Sequence, residues 1–132
     1  MTQDKGNPVL ILVVEDEELL RRSLERTLKR SGFAVHGAST IAEGREFLEK
    51  NFVDLAFVDF ELPDGHGSEL IEWAKQRQSS AAFYCMTAHT TCKTAVQAIK
   101  AGAIDVLEKP LPMSRFSELA KTMLGGIESD ED

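Results

Sequence analysis

Five short apolar runs set the limits on what this chain can fold into. Val9–Val14, Ala34–Ala38, Leu55–Phe60, Ala82–Met86 and Ile104–Leu107 are rich in β-branched and aromatic residues, and each is followed by a segment with helical periodicity. Runs such as LILVV and LAFVDF carry no polar face. Both sides of such strands need cover, which is the arrangement of a parallel sheet between two layers of helices. Five βα units in 132 residues make one α/β domain, long enough to bury about two-thirds of its unfolded surface. Right-handed crossovers then bring the C-terminal ends of all five strands to one edge of the sheet. In open α/β sheets the ligand crevice lies outside those ends.

The helical segments have their own punctuation. Leu20, Leu24 and Leu28 share one face, and Gly32 stands where a left-handed cap would end the first helix near Ser31. Thr40 and Glu43 have capping-box spacing and open a second helix running to about Asn51. A third helix starts after Gly67 with Leu70 and Ala74 facing inward. A fourth is expected to bury Cys92, Ala95, Val96 and Ile99 before Gly102. Phe116, Leu119, Ala120 and Met123 make the last amphipathic face, stopped by Gly125-Gly126. These marks divide the chain into an N-terminal tail (1–8), the domain itself (9–124) and an acidic C-terminal tail (125–132).

Charge and cysteine usage narrow the function classes. The net charge of −7 repels a nucleic-acid backbone, so direct DNA or RNA binding by this domain is not expected. Cys85 and Cys92 form neither a CxxC pair nor a disulfide framework, and no apolar span has membrane length. With no signal-peptide pattern, the reading is a cytoplasmic protein without membrane association.

The residues at the strand ends are more telling. The first strand ends in Glu15-Asp16, the third in Asp59, the fourth in Thr87-Ala88 and the fifth in Lys109-Pro110. With the first and third strands adjacent, as in the order 2-1-3-4-5, carboxylates about 5 Å apart repel by about 3 kcal/mol per pair at an effective dielectric of about 20. One lysine cannot offset three such pairs. A hard divalent cation can, and all-oxygen ligation suits Mg²⁺, with Mn²⁺ as a substitute. The ligands are then Glu15, Asp16 and Asp59, joined by the backbone carbonyl of Glu61 in the turn after Asp59. A metal beside a carboxylate, with a hydroxyl and an ammonium converging on it, stabilises a phosphoryl group. Asp59 is the nucleophile in this reading and becomes an aspartyl phosphate. Lys109 neutralises the phosphoryl oxygens, while the Thr87 hydroxyl and the Ala88 amide donate hydrogen bonds to them.

The stretches LILVVEDEELLRRSL, LAFVDFELPDGHG, YCMTAHT and GAIDVLEKP resemble, in order, the acidic pair, phosphoacceptor strand and turn, hydroxyl switch and Lys-Pro motif of the receiver domain of two-component response regulators. The resemblance spans roughly Val9 to Leu124. It implies a doubly wound, flavodoxin-like (βα)5 fold with a five-stranded parallel sheet. It also implies a signalling domain that catalyses its own phosphorylation and dephosphorylation, rather than an enzyme turning over a separate substrate. The phosphodonor would be a sensor histidine kinase or phosphotransfer protein. Output would pass through the surface of helix 4, strand 5 and helix 5 to a partner, an output domain such as a transcription regulator, or a second copy on phosphorylation. By the same resemblance Asp16 ligates the metal directly, Glu15 acts through water, and Lys109-Pro110 is a cis bond.

The sequence departs from the family pattern at Val106, where an aromatic usually stands three residues before the lysine, so an aromatic switch does not carry over. Glu61 and His89 occupy rim positions that influence phosphoryl lifetime in the family. The remaining distinctive residues have plainer readings: Cys85, Trp73 and Phe83 as packing, Cys92 as a lone helix-start thiol, His36 and His66 without metal-ligand spacing. The alternative function is a Mg²⁺-dependent phosphohydrolase using Asp59-x-Glu61, but such enzymes place that pair on their first strand. A flavin-binding module would need a Ser/Thr/Gly-rich first loop, where this chain has EDEE.

Overall fold

The computed structural model describes residues 9–124; the two expected tails, 1–8 and 125–132, lie outside the described residues. The order of elements is β1 (Leu10–Val14), α1 (Glu18–Arg30), β2 (Ala34–Ala38), α2 (Ile41–Lys50), β3 (Leu55–Asp59), β4 (Glu61–Leu62), β5 (Gly65–His66), α3 (Gly67–Gln76), β6 (Ala82–Thr87), α4 (Cys92–Ala101), β7 (Asp105–Glu108) and α5 (Met113–Met123). Five strands form one sheet in the order β2-β1-β3-β6-β7, and every pairing in it is parallel. This is the doubly wound 2-1-3-4-5 order with one addition. A short antiparallel hairpin, β4–β5, is inserted between the third strand of the sheet and α3.

The lack of a polar face in the strands becomes two cores. Leu12, Val14, Ala56, Val58, Phe83 and Cys85 point to one side, against Ile41 of α2, Leu70, Ile71 and Ala74 of α3 and Ala98 of α4. The alternate residues Ile11, Val13, Leu55, Phe57, Tyr84 and Met86 point to the other side, against Leu24 and Leu28 of α1 and Phe116 and Ala120 of α5. Burying a side chain of this size stabilises the fold by about 1.5–3 kcal/mol, so a doubly covered strand is fastened from both faces. Every residue of β3 is buried, Asp59 included.

Several helix ends form as their residues require. Gly32 takes φ +100° after α1, and its N–H bonds the Lys29 carbonyl at 3.0 Å. The Thr40 hydroxyl accepts from the Glu43 N–H at 3.1 Å, but the Glu43 carboxylate accepts from Ser39, not from Thr40 as a capping box would have it. The inward face expected for α4 is not buried. Cys92 is exposed, Val96 and Ile99 are about half-exposed, and Ala98 is the helix's buried residue. Helix α4 leans on α3 and on β7, with Gln97 donating to the buried Ser68 hydroxyl at 3.1 Å. The helix packs on the core through Ala98 and Ala101, which leaves its larger apolar residues outward. Ile104, expected within the last strand, precedes it and is about half-exposed.

Candidate functional site

The sheet register assembles the site. Val14 of β1 pairs with Val58 of β3, so Glu15 and Asp59 leave adjacent strands side by side. The Glu15 N–H continues the ladder to the Ala38 carbonyl at 2.9 Å. One strand further along the sheet, Thr87 ends β6 beside Glu108 of β7, and the Lys109 N–H bonds the Thr87 carbonyl at 2.7 Å. Four separate stretches of chain therefore reach one edge through backbone pairing alone.

There, carboxylate oxygens of Glu15, Asp16 and Asp59 all lie within 4.8 Å of one another. It is the one group of potential metal ligands of this kind among the described residues. The Lys109 ammonium sits 2.7 Å from Glu15 Oε1 and 3.3 Å from Asp59 Oδ2. Glu15 and Asp59 are buried, and Asp16 is exposed. The other Glu15 oxygen accepts from the Glu17 N–H at 3.0 Å.

Burial, followed by the negative charge of Glu15, pushes the Asp59 carboxyl up to about 6 against the opposing pull of Lys109. Burial alone would lower Lys109, but its hydrogen bond to Glu15 and the charge of Asp59 hold it above the ordinary lysine value. The cluster is thus short of positive charge. Two buried carboxylates share one ammonium, and an exposed third faces the opening.

The other expected site residues stand around this cluster. Thr87 is buried, and its hydroxyl donates to the His89 carbonyl at 3.2 Å and accepts from the His89 N–H at 3.3 Å, so it is engaged within its own loop. Ala88 and His89 are exposed on that loop. Glu61 is exposed on β4, paired across the hairpin with His66. Val106 is half-buried and packs against the core on the α3–α4 side. Lys109-Pro110 is cis. Burial pushes the Cys85 thiol up to about 12, in keeping with a packing role. The guanidinium carbons of Arg45 and Arg77 lie 5.5 and 5.0 Å from the centre of the Trp73 ring. His36 stacks on Phe47 and His66 on Phe60, and neither belongs to the acidic cluster.

Two residues that sequence reasoning passed over help to place the site. Asp64 looked like an ordinary residue of a Pro-Asp-Gly turn. Its two carboxylate oxygens instead accept the Ile41 and Ala42 N–H groups, at 2.9 and 3.1 Å, tying the hairpin to the start of α2. Slight burial works against ionisation, but those two bonds hold its carboxyl below the usual range. Gly67 begins α3 so close to the end of β3 that a Cβ there would overlap the Asp59 carbonyl oxygen. No sequence signal marks Asp64. Gly67 comes after a strand and opens a helix, which was the available hint.

A doubly wound sheet that gathers three carboxylates and a lysine at its strand ends defines a class of α/β protein with an all-oxygen, acidic pocket at one sheet edge. The chain belongs to the response regulator receiver domain family, whose model matches residues 11–121. Among relatives, the response regulator protein PilR of Pseudomonas aeruginosa is 40% identical over 113 residues, covering 86% of this chain and 25% of that protein. The chain spans between a quarter and somewhat over half the length of the first curated relatives it matches. A CheY-like receiver domain protein from Methanospirillum hungatei superposes with a TM-score of 0.86 at 29% identity, covering 90% of this chain and 95% of that one. A Burkholderia pseudomallei response regulator, solved with a phosphorylated aspartic acid, a calcium ion and citrate, gives 0.77 at 32% identity over 85% of this chain and 65% of that one.

Proposed function

We propose that this receiver domain accepts a phosphoryl group on Asp59 from a phosphohistidine of a sensor histidine kinase or phosphotransfer protein, in a Mg²⁺-dependent reaction. The observation that carries the reading is the meeting of three carboxylates within 4.8 Å over a single ammonium. The donor set is all oxygen, partly exposed and negatively charged, which fits a hard divalent cation. Glu15, Asp16 and Asp59, with the Glu61 carbonyl, would hold Mg²⁺ (or Mn²⁺). When bound, the ion supplies positive charge to the phosphoryl oxygens.

The chain's own groups do the rest. An Asp59 oxygen attacks phosphorus in line, an O–P bond forms as the N–P bond breaks, and the electron pair of that bond returns to the donor imidazole. Lys109 shifts its ammonium from Asp59 to a phosphoryl oxygen. The Thr87 hydroxyl leaves the His89 carbonyl to donate to the same group, and the Ala88 N–H joins it. Loss of the Thr87–His89 bonds frees the loop that leads into α4, so the α4–β7–α5 surface changes without an aromatic at Val106. Val96, Ile99 and Ile104, all about half-exposed, give that surface an apolar face suited to an output partner or a second copy of the domain. Glu61 and His89, at the rim, set how quickly water removes the phosphoryl group.

On this reading residues 9–124 are the receiver unit of a cytoplasmic regulator, flanked by tails at 1–8 and 125–132. Among the described residues no helix is long and apolar enough to cross a membrane. The phosphorylated aspartic acid of the Burkholderia relative supports the assignment of Asp59. Incubation with acetyl phosphate and Mg²⁺ should add one phosphoryl mass, abolished by EDTA and by Asp59→Asn. Labelling that persists in Asp59→Asn would overturn the reading.

A further inference from the structure

Arg21 lies one turn into α1, and its guanidinium turns back toward the acidic cluster. Its Nη1 donates to the Glu15 carbonyl at 2.8 Å. Its Nε stands 3.9 Å from Glu25 Oε2, one turn further along the helix, and its side chain is only 20% exposed. The reason this pair can lie so close to the sheet is Gly37 of β2, the strand neighbour of Val13. A Cβ at Gly37 would overlap Glu25 Oε2 and would come within 3.1 Å of Arg21 Cδ. The edge strand therefore carries a notch that seats Glu25 beside the Arg21 side chain.

The atom Arg21 reaches belongs to the peptide joining Glu15 to Asp16. The other groups of Glu15 are already committed: its N–H to Ala38, its carboxylate to Lys109 and to the Glu17 N–H. Its carbonyl is an acceptor at a buried residue and needs a donor. A guanidinium meets that need with a charge-assisted bond. Holding this peptide plane also sets the direction in which Asp16 leaves the chain. An ordinary solvent-exposed Arg–Glu pair at this spacing does neither.

We infer that Arg21, beside Glu25 in the Gly37 notch, is a positioning residue for the acidic pocket. It holds the Glu15–Asp16 peptide so that three carboxylates converge for a divalent cation. The inference rests on the Mg²⁺ reading proposed for this site.

The test is Mg²⁺ affinity by titration calorimetry, with thermal stability measured alongside, for the wild type, Arg21→Met, Arg21→Lys and Gly37→Ala. Arg21→Met, which keeps an unbranched apolar stem but has no donor, should weaken binding about tenfold, the scale of losing a partner that orients a metal ligand. Arg21→Lys should recover part of that loss. Gly37→Ala, which leaves Arg21 itself intact, should weaken binding in the same direction by displacing Glu25. In the Mg²⁺-free protein the amide resonances of Asp16 and Glu17 should shift in both Arg21→Met and Gly37→Ala. Folded Arg21→Met that binds Mg²⁺ within about twofold of the wild type, against the expected tenfold, would overturn the role of Arg21. Unchanged affinity in Gly37→Ala would overturn that of the notch. A wild-type protein that binds no Mg²⁺ would overturn the functional reading and this inference together.

Discussion

Lys109 is bonded more closely to Glu15, at 2.7 Å, than to Asp59, at 3.3 Å. The lysine is anchored by Glu15 and more loosely held by Asp59, the carboxylate proposed above to take the phosphoryl group. In the proposed reaction its ammonium would move to a phosphoryl oxygen while keeping its hold on Glu15. Replacing Lys109 by Met should leave two buried carboxylates without a counter-charge and cost about 2–3 kcal/mol at neutral pH without divalent ions. Urea denaturation should show that loss, with Mg²⁺ restoring part of it.

Asp59 makes the fold less stable when it is charged. Its carboxyl is raised from 3.8 to about 6, so the folded chain holds the proton more tightly than the unfolded one. Stability therefore falls as pH rises between those two values, and the penalty is complete above the higher one. In EDTA at pH near 8, Asp59→Asn should be more stable than the wild type by about 2–3 kcal/mol, at 1.36 kcal/mol per pK unit. The gain should vanish below the unfolded value. Denaturation midpoints of both proteins across that range are the measurement.

Asp64 carries the opposite sign. Its carboxyl is held low by the Ile41 and Ala42 N–H groups, so its contribution is present above the usual aspartate value and fades as pH falls through the folded one. Asp64→Ala should cost about 1 kcal/mol at pH 7, the scale of a lost N-terminal cap. The difference from wild type should shrink in acid. Hydrogen exchange should quicken first in the opening turn of α2 rather than in the sheet.

Gly67→Ala tests the closeness of α3 to β3. The added methyl would overlap the Asp59 carbonyl oxygen, and a backbone atom cannot swing aside as a side-chain end can. A cost of about 1–3 kcal/mol is expected, as for other overpacked sites. Because the displaced backbone carries Asp59, labelling by acetyl phosphate should slow even in the fraction that remains folded. Undiminished labelling would mean that the backbone of Asp59 does not need this close contact.

Much of this protein could be read along the chain because its signals are local. An apolar run covered on both faces reports a parallel strand whatever its neighbours are. Glu15, Asp16, Asp59 and Lys109 could be picked out because each lies at the end of such a run. The mistakes arose where burial depends on what lies opposite. Val96 and Ile99 have the spacing of an inward face, yet α4 packs on the core through Ala98 and Ala101 and leaves them about half-exposed. The β4–β5 hairpin has only two residues per strand, too few for alternation to show.

Periodicity, turn residues and strand-end chemistry were enough to set the α/β class, the order of the five βα units and the acidic residues that meet at the strand ends. Those properties depend on neighbours a few positions apart. Folding in three dimensions was needed to place Asp64 on α2, to bring Gly67 against Asp59, to seat Arg21 on the Glu15 carbonyl and to lodge Thr87 with His89. Apart from the short Thr87–His89 loop, these contacts join different elements, and their distances come from strand register and helix packing, which no local stretch of residues encodes.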